Sequence, residues 1–212
     1  MKVYKYILGL SLSLLLFASC EKESEGVSRL TTYATLEMEG ANLMLIQINS
    51  AYTEPGVSAF EGETEVPVVI TGTVDTATKG VYVIQYSAKN SDGFSASTTR
   101  MVAVVAKMPT TDLSGEYELV HATRTGTSTI GINDGILGYY HATESWWQAY
   151  PIPLDFVDMG DGTIIVLQGS SPYGAHYGTG EILDDGQIKF TVTLANQGPL
   201  TYSTTYKLKP LL

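Results

Sequence analysis

Apolar and polar residues alternate in short runs along most of the chain, and no segment sustains a helical period. Ile188, Phe190, Val192 and Leu194 fall on one side of an extended strand, with Gln187, Lys189 and Thr191 on the other. Tyr202, Thr204, Tyr206 and Leu208 repeat the pattern against Thr201, Ser203, Thr205 and Lys207. Ile152, Leu154 and Phe156 alternate with Pro153 and Asp155, and the proline places that strand at an edge or bulge. Asn133-Asp134-Gly135, Gly160-Asp161-Gly162 and Asp184-Asp185-Gly186 mark turns, since Asn, Asp and Gly tolerate left-handed backbone. Seven strands are predicted in this half, over residues 115–123, 136–147, 152–158, 163–168, 176–183, 187–195 and 201–209. An antiparallel meander closing into a barrel accommodates them.

Upstream, residues 66–71 and 81–88 read as strands. Residues 101–106 form another that is apolar on both faces. Asn90-Ser91-Asp92-Gly93 supplies a turn between the last two, so they pair as a hairpin. The proline-bearing polar stretch from Lys107 to Asp112 separates the halves. The expected fold is all-β, with a sandwich over residues 29–107 and an antiparallel barrel over residues 112–212.

The N-terminus has a different pattern. Lys2 and Lys5 precede an apolar run, Ile7 to Phe17, and the small residues Ala18 and Ser19 follow, the layout of a secretory signal peptide over residues 1–19. About a dozen apolar residues fall short of the roughly 20 a membrane-crossing helix needs. Cys20 is the single cysteine among 212 residues, so neither an internal disulfide nor a thiolate metal cluster can form. Phe17-Ala18-Ser19-Cys20 resembles the lipobox of bacterial lipoproteins, which implies acylation of Cys20 as the first mature residue. Glu21-Lys22-Glu23-Ser24-Glu25 resembles the acidic export signal of Bacteroidota lipoproteins, within a tether over residues 20–28. The resemblance implies an outer-membrane protein held by acyl chains and facing the cell exterior.

Removing residues 1–19 leaves ten basic residues against 22 acidic ones. So acidic a chain, with no basic patch, argues against nucleic acid as a partner.

Val74-Asp75-Thr76, Gly80-Val81-Tyr82, Tyr86-Ser87-Ala88, Asn90, Asp92-Gly93 and Arg100 resemble the bacterial surface-protein Ig-like repeats. The resemblance spans roughly residues 27–106 and implies a small sandwich that acts as a spacer or a weak interaction surface. Asp112-Leu113-Ser114-Gly115-Glu116-Tyr117 is similar to the opening of β-barrel domains in such lipoproteins. The whole chain resembles Bacteroidota surface lipoproteins in which an Ig-like module precedes a calycin-like barrel, a family that implies company with starch-utilisation-type uptake systems.

Candidate chemistry concentrates in the second half. Tyr139-Tyr140, Trp146-Trp147, Tyr150, Tyr173 and Tyr177 lie beside the glycine-rich stretch 169–174. Strand neighbours point to opposite faces. Each doublet therefore exposes one ring or sits at a strand end where both rings cover something. Exposed Trp and Tyr rings stack on sugars, and Glu144, Gln148 and Asp155 are at hand for hydroxyls. The competing expectation is a packed core with an interdomain contact. The candidate ligand residues are Trp146, Trp147, Tyr139, Tyr140, Tyr173 and Tyr177, with Cys20 as the lipid-attachment residue.

His121, His141 and His176 show no metal-binding spacing, and the stretch 158–163 lacks the ligand pattern of a calcium loop. There is no Gly-x-Ser-x-Gly elbow. No metal, cofactor or catalytic activity is expected. A non-catalytic surface lipoprotein that binds extracellular glycan is the expected function, and an envelope lipoprotein that is structural or binds a protein partner is the alternative.

Overall fold

The computed structural model describes residues 31–195 and 198–210. They form 15 strands and no helix. The signal peptide, Cys20 and the acidic tether lie outside the described residues.

Residues 34–105 build two facing sheets. One holds β1 (Ala34–Met38), β3 (Val57–Glu61) and β4 (Thr64–Glu65); the other runs in the order β2 (Leu43–Gln47), β7 (Ser95–Val105), β6 (Gly80–Lys89), β5 (Val68–Thr71). The β6–β7 hairpin turns through Asn90, whose carboxamide oxygen accepts from the Phe94 N–H at 2.7 Å. All pairs are antiparallel except β2 with β7, which runs parallel. Ile84, Tyr86 and Val102 face inward against Leu36, Ile46 and Val57.

One charge is built into this core. Arg100 is fully buried. Its guanidinium pairs with the Glu54 carboxylate at 3.0 Å and donates to the carbonyls of Ala41 and Glu39, both at 2.5 Å. Burial opposes ionisation of Glu54, but hydrogen bonds from Tyr52, Tyr86 and the Gly56 N–H, with the charge of Arg100, hold its carboxyl below the usual range. The arginine thus ties the turns after β1 and before β3 to the centre of the opposite sheet. A buried charge is tolerable only when it is satisfied to this degree.

Residues 115–208 form a closed antiparallel barrel. Its strands are β8 (Gly115–Leu119), β9 (Thr127–Ile132), β10 (Tyr139–Ala142), β11 (Leu154–Asp158), β12 (Thr163–Ser171), β13 (Gly174–Ile182), β14 (Ile188–Leu194) and β15 (Leu200–Leu208). Each strand pairs with the next in sequence, and β15 returns to β8. Eight strands leave an interior just wide enough for side chains to fill. Here a column of rings fills it: Tyr140 stacks on Phe156 at 5.3 Å, Phe156 meets Phe190 at 5.3 Å, and Phe190 meets Tyr206 at 6.3 Å. Gly180 makes room for the column, because a Cβ there would meet Phe190 at 3.4 Å and the Lys189 carbonyl at 2.6 Å.

The barrel has eight strands where seven are predicted. The additional one is β9, whose inward positions are Ser128 and Ile130, too little apolar alternation to register. The single strand expected over 136–147 shrinks to β10. Residues 136–138 complete a turn in which the Ile136 N–H donates to Asn133, and residues 143–153 form a long loop at one barrel mouth.

The two-faced apolar strand has a direct explanation. Along β7, Val102 turns into the sandwich, while Ala103 and Val105 turn outward, where with Leu43 they pack on Tyr139, Val157, Met159 and Leu167 of the barrel wall. The connector is fastened as well. The Ala106 N–H donates to Met159 at 2.8 Å, Gly138 lies against Pro109 and Leu45, and the Tyr140 hydroxyl donates to Thr111 at 3.1 Å. Gly160 has a φ of 73°, and a Cβ there would sit 1.9 Å from the Lys107 carbonyl. Lys79 bridges to Asp161 at 2.6 Å.

Sandwich and barrel should therefore unfold in one calorimetric transition. Ala103→Asp, which buries an unpaired carboxylate in the contact, is expected to cost about 3–5 kcal/mol and lower Tm markedly. Two separate transitions in the unaltered chain, or an Ala103→Asp variant as stable as the parent, would contradict a shared core.

Candidate functional site

The aromatic residues of the second half do not all meet. Tyr139 and Tyr140 are both buried, at 6 % and 0 % exposure. Their side chains do alternate across β10, but at these two positions neither ring meets water. Tyr140 enters the barrel interior and Tyr139 is covered by the sandwich. They are core residues, and the expectation that the doublet offers a ring to ligand is corrected by the packing of the sandwich on this wall. Tyr177 stands alone on the outer wall, half exposed, opposite Thr193 of β14.

Trp146, Trp147, Tyr150 and Tyr173 do converge, at the mouth formed by the β8–β9, β10–β11 and β12–β13 connections. A tight turn in the long loop, with the Tyr150 N–H donating to Trp147 at 2.8 Å, folds three of the rings together. Trp146 stacks on Tyr202 at 4.9 Å and lies 5.6 Å from Tyr150, which is 5.2 Å from Trp147 and 5.7 Å from Tyr173. Trp146 is the half-buried base of the cluster, packed on the barrel core. Tyr150 is its most open member, 44 % exposed.

Beside these rings runs a groove of about 300 Å³ lined by Thr123, Arg124, Thr125, Trp147, Gln148 and Ala149. Its walls are stitched together by the Gln148 N–H donating to Thr125 at 3.0 Å. The loop carrying Arg124 is shaped by His121, whose Nδ1 accepts from the Thr123 and Arg124 N–H groups, both at 3.1 Å. The Arg124 guanidinium lies 4.8 Å from the centre of the Trp147 ring. The indole N–H of Trp147 is buried and has no acceptor among the described residues.

Of the three polar residues expected near the rings, only Gln148 lies in the groove. Asp155 is on the outer wall, where it accepts from Asn133 at 3.3 Å and pairs with His141 Nδ1 at 2.7 Å. His141 and His176 share a cavity of about 180 Å³ with Asp155. His176 is almost completely buried, and burial lowers its pKa, favouring the neutral ring. His121 belongs to the mouth instead. No group of His, Cys, Asp and Glu among the described residues is placed to hold a metal ion. A cavity of about 440 Å³ is lined by Ser114, Gly115, Glu116, Glu118, Leu208, Lys209 and Pro210, close to where β8 begins and β15 ends, away from the aromatic mouth.

Glu144 points into the barrel below the rings. Ser145 beside it donates to the Ile152 carbonyl at 2.8 Å and shares a hydrogen bond with the Tyr202 hydroxyl at 2.9 Å, fixing the loop on β15. Burial raises the Glu144 carboxyl above its ordinary value, opposed only by a 3.5 Å contact from the Tyr206 hydroxyl. Buried this way, it is a core group and not a partner for ligand hydroxyls.

Arg124 and Tyr202 are the members of this mouth that sequence reasoning missed. Tyr202 is legible only as an inward position of its strand. Arg124 sits in a short polar connection whose course depends on β9.

Residues 36–104 match the family model of the bacterial surface protein Ig-like domain. The matched stretch is the sandwich, which is joined to an eight-stranded antiparallel barrel. Among solved structures, a lipoprotein of Bacteroides thetaiotaomicron aligns at 22 % identity and a TM-score of 0.46, covering 82 % of this chain and 99 % of that one. No curated protein matches.

A carboxyl with a raised folded pKa is neutral in both states at low pH, and costs stability as pH climbs through and above the ordinary carboxylate range. Glu144→Gln is accordingly expected to raise Tm at pH 7 and to change it little at pH 4. Melting curves at the two pH values check this, and a lower Tm at pH 7 would assign the carboxylate a stabilising partner.

Proposed function

We propose that this chain is a lipid-anchored outer-membrane protein, facing the cell exterior, that binds glycan at the aromatic mouth of its barrel without acting on it chemically. The observation that carries the reading is the convergence of Trp146, Trp147, Tyr150 and Tyr173 at one mouth, with Tyr150 open to solvent beside a groove lined by Arg124, Thr125 and Gln148. The apolar face of a pyranose covers an aromatic ring, and neighbouring polar groups satisfy its hydroxyls. Trp146 and Tyr202 are the floor on which the outer rings rest. The filled barrel interior leaves the mouth as the natural place for a ligand.

The anchor reading is supported by Cys20 and the charged residues after it, and the surface reading by the bacterial surface-protein domain matched at residues 36–104. In cells expressing the full chain, Cys20→Ser is expected to release the protein from the membrane fraction. Retention of the variant at the parental level would refute acyl anchoring.

Binding is tested by tryptophan fluorescence of a soluble protein starting after Gly26, titrated with host and plant polysaccharides. A saturable shift with at least one polysaccharide is expected. Tyr150→Ala should weaken it by about 10-fold, since truncating a tyrosine that carries a contact costs more than about 1 kcal/mol, with Tm unchanged. Emission that ignores the whole panel would return the rings to a purely structural role.

A further inference from the structure

We infer that the glycan bound at the barrel mouth carries carboxylate groups, and that Arg124 is the residue that selects them. The inference rests on the glycan reading above and deepens it. Its basis is the distribution of charge and hydrogen-bond donors around the groove.

The chain has 22 acidic residues and 12 basic ones, yet no carboxylate lines this groove, and its one charged side chain is Arg124. Among the described residues, four other cations are paired with carboxylates, Lys79 with Asp161, Arg100 with Glu54, Lys189 with Glu181 and Lys209 with Glu116, while Lys89, Lys107 and Lys207, which lie outside the groove, are not. The Arg124 guanidinium has neither a carboxylate within 4.0 Å nor an acceptor for its side-chain N–H groups among the described residues. Only the backbone N–H of Arg124 is engaged, by His121, and that contact fixes the loop, not the charge.

The position of the guanidinium adds to this. Lying 4.8 Å from the centre of the Trp147 ring, it is held by the electron-rich face of the indole. An arginine stacked in this way keeps its in-plane N–H donors for a further partner, and its fork matches the two oxygens of a carboxylate. Tyr150, in contact with the same indole, supplies a ring for the sugar itself. The pair thus offers a stacking surface with a carboxylate clamp beside it. A uronic acid presents both features on one residue: a flat apolar ring face and a carboxylate at C5. Gln148 and Thr125, joined by a 3.3 Å hydrogen bond on the same wall, are placed to meet ring hydroxyls.

The test compares polygalacturonate with its fully methyl-esterified form, and adds a sulfated glycan of neutral backbone, all titrated by tryptophan fluorescence against the soluble protein. Polygalacturonate should bind at least about 10-fold more tightly than the ester, with an affinity that falls as salt rises. Arg124→Met should remove this preference, bringing polygalacturonate down to the level of the ester, with Tm unchanged. Arg124→Lys should recover only part of it, because an ammonium cannot form the planar fork. Equal binding of acid and ester, unaffected by Arg124→Met, would overturn the inference and leave the glycan reading standing. Binding of the sulfated glycan alone would overturn the carboxylate assignment. Failure of every glycan, neutral ones included, would overturn both.

Discussion

The central segment of β7 is apolar on both faces, and the rest of the molecule is arranged around the need to bury both. A strand in a two-layer sandwich ordinarily has one face toward the core and one toward water. Here Val102 meets the facing sheet while Ala103 and Val105 meet the barrel wall. Water is excluded from both sides of the strand only if the barrel is docked. The docking covers Tyr139, Val157, Met159 and Leu167, which would otherwise form an apolar patch on the barrel exterior. Each module thus completes the other's burial, and the aromatic mouth remains as the main aromatic surface of the barrel open to a ligand.

The filled interior sets a second constraint. Tyr140, Phe156, Phe190 and Tyr206 pack in a column through the lumen, and burial pushes the Tyr202 hydroxyl up to about 12 at the upper end of the column. A ligand would therefore be met at the rim, where the loops are free to vary without disturbing the wall. The rim loops are nonetheless well supported. Trp146 rests on Tyr202, and Ser145 ties the long loop to β15. Rings held in this way lose little freedom when they meet a ligand, which favours affinity.

Most of the fold was legible in the sequence. Strands β14 and β15 alternate so regularly that their predicted limits differ from the observed ones by one residue. The bulk of β6 and its hairpin with β7 are equally plain. β9 escaped because a serine occupies one of its inward positions, and a strand with so little apolar character becomes visible only through its neighbours. The site was half legible. Aromatic density located the mouth, but a doublet cannot reveal which of its faces another module will cover, so Tyr139 and Tyr140 were placed with the ligand residues. Arg124 carries no local signal at all. Its role depends on a contact with Trp147, 23 positions away, that exists only once the barrel has closed.

The connector between the modules, Lys107 to Asp112, has the composition of a flexible joint. The chain is nevertheless tied to the barrel wall by backbone hydrogen bonds at Ala106 and Thr111, the Pro109 ring packs on Gly138, and Gly160 admits the Lys107 carbonyl at the tightest point. Protease attack on multi-module proteins concentrates in exposed, loosely held segments, because the enzyme must draw the chain out into an extended form. In this molecule the obvious place to cut is fastened along its length. A protease would have to unfold the shared core before it could separate the two halves.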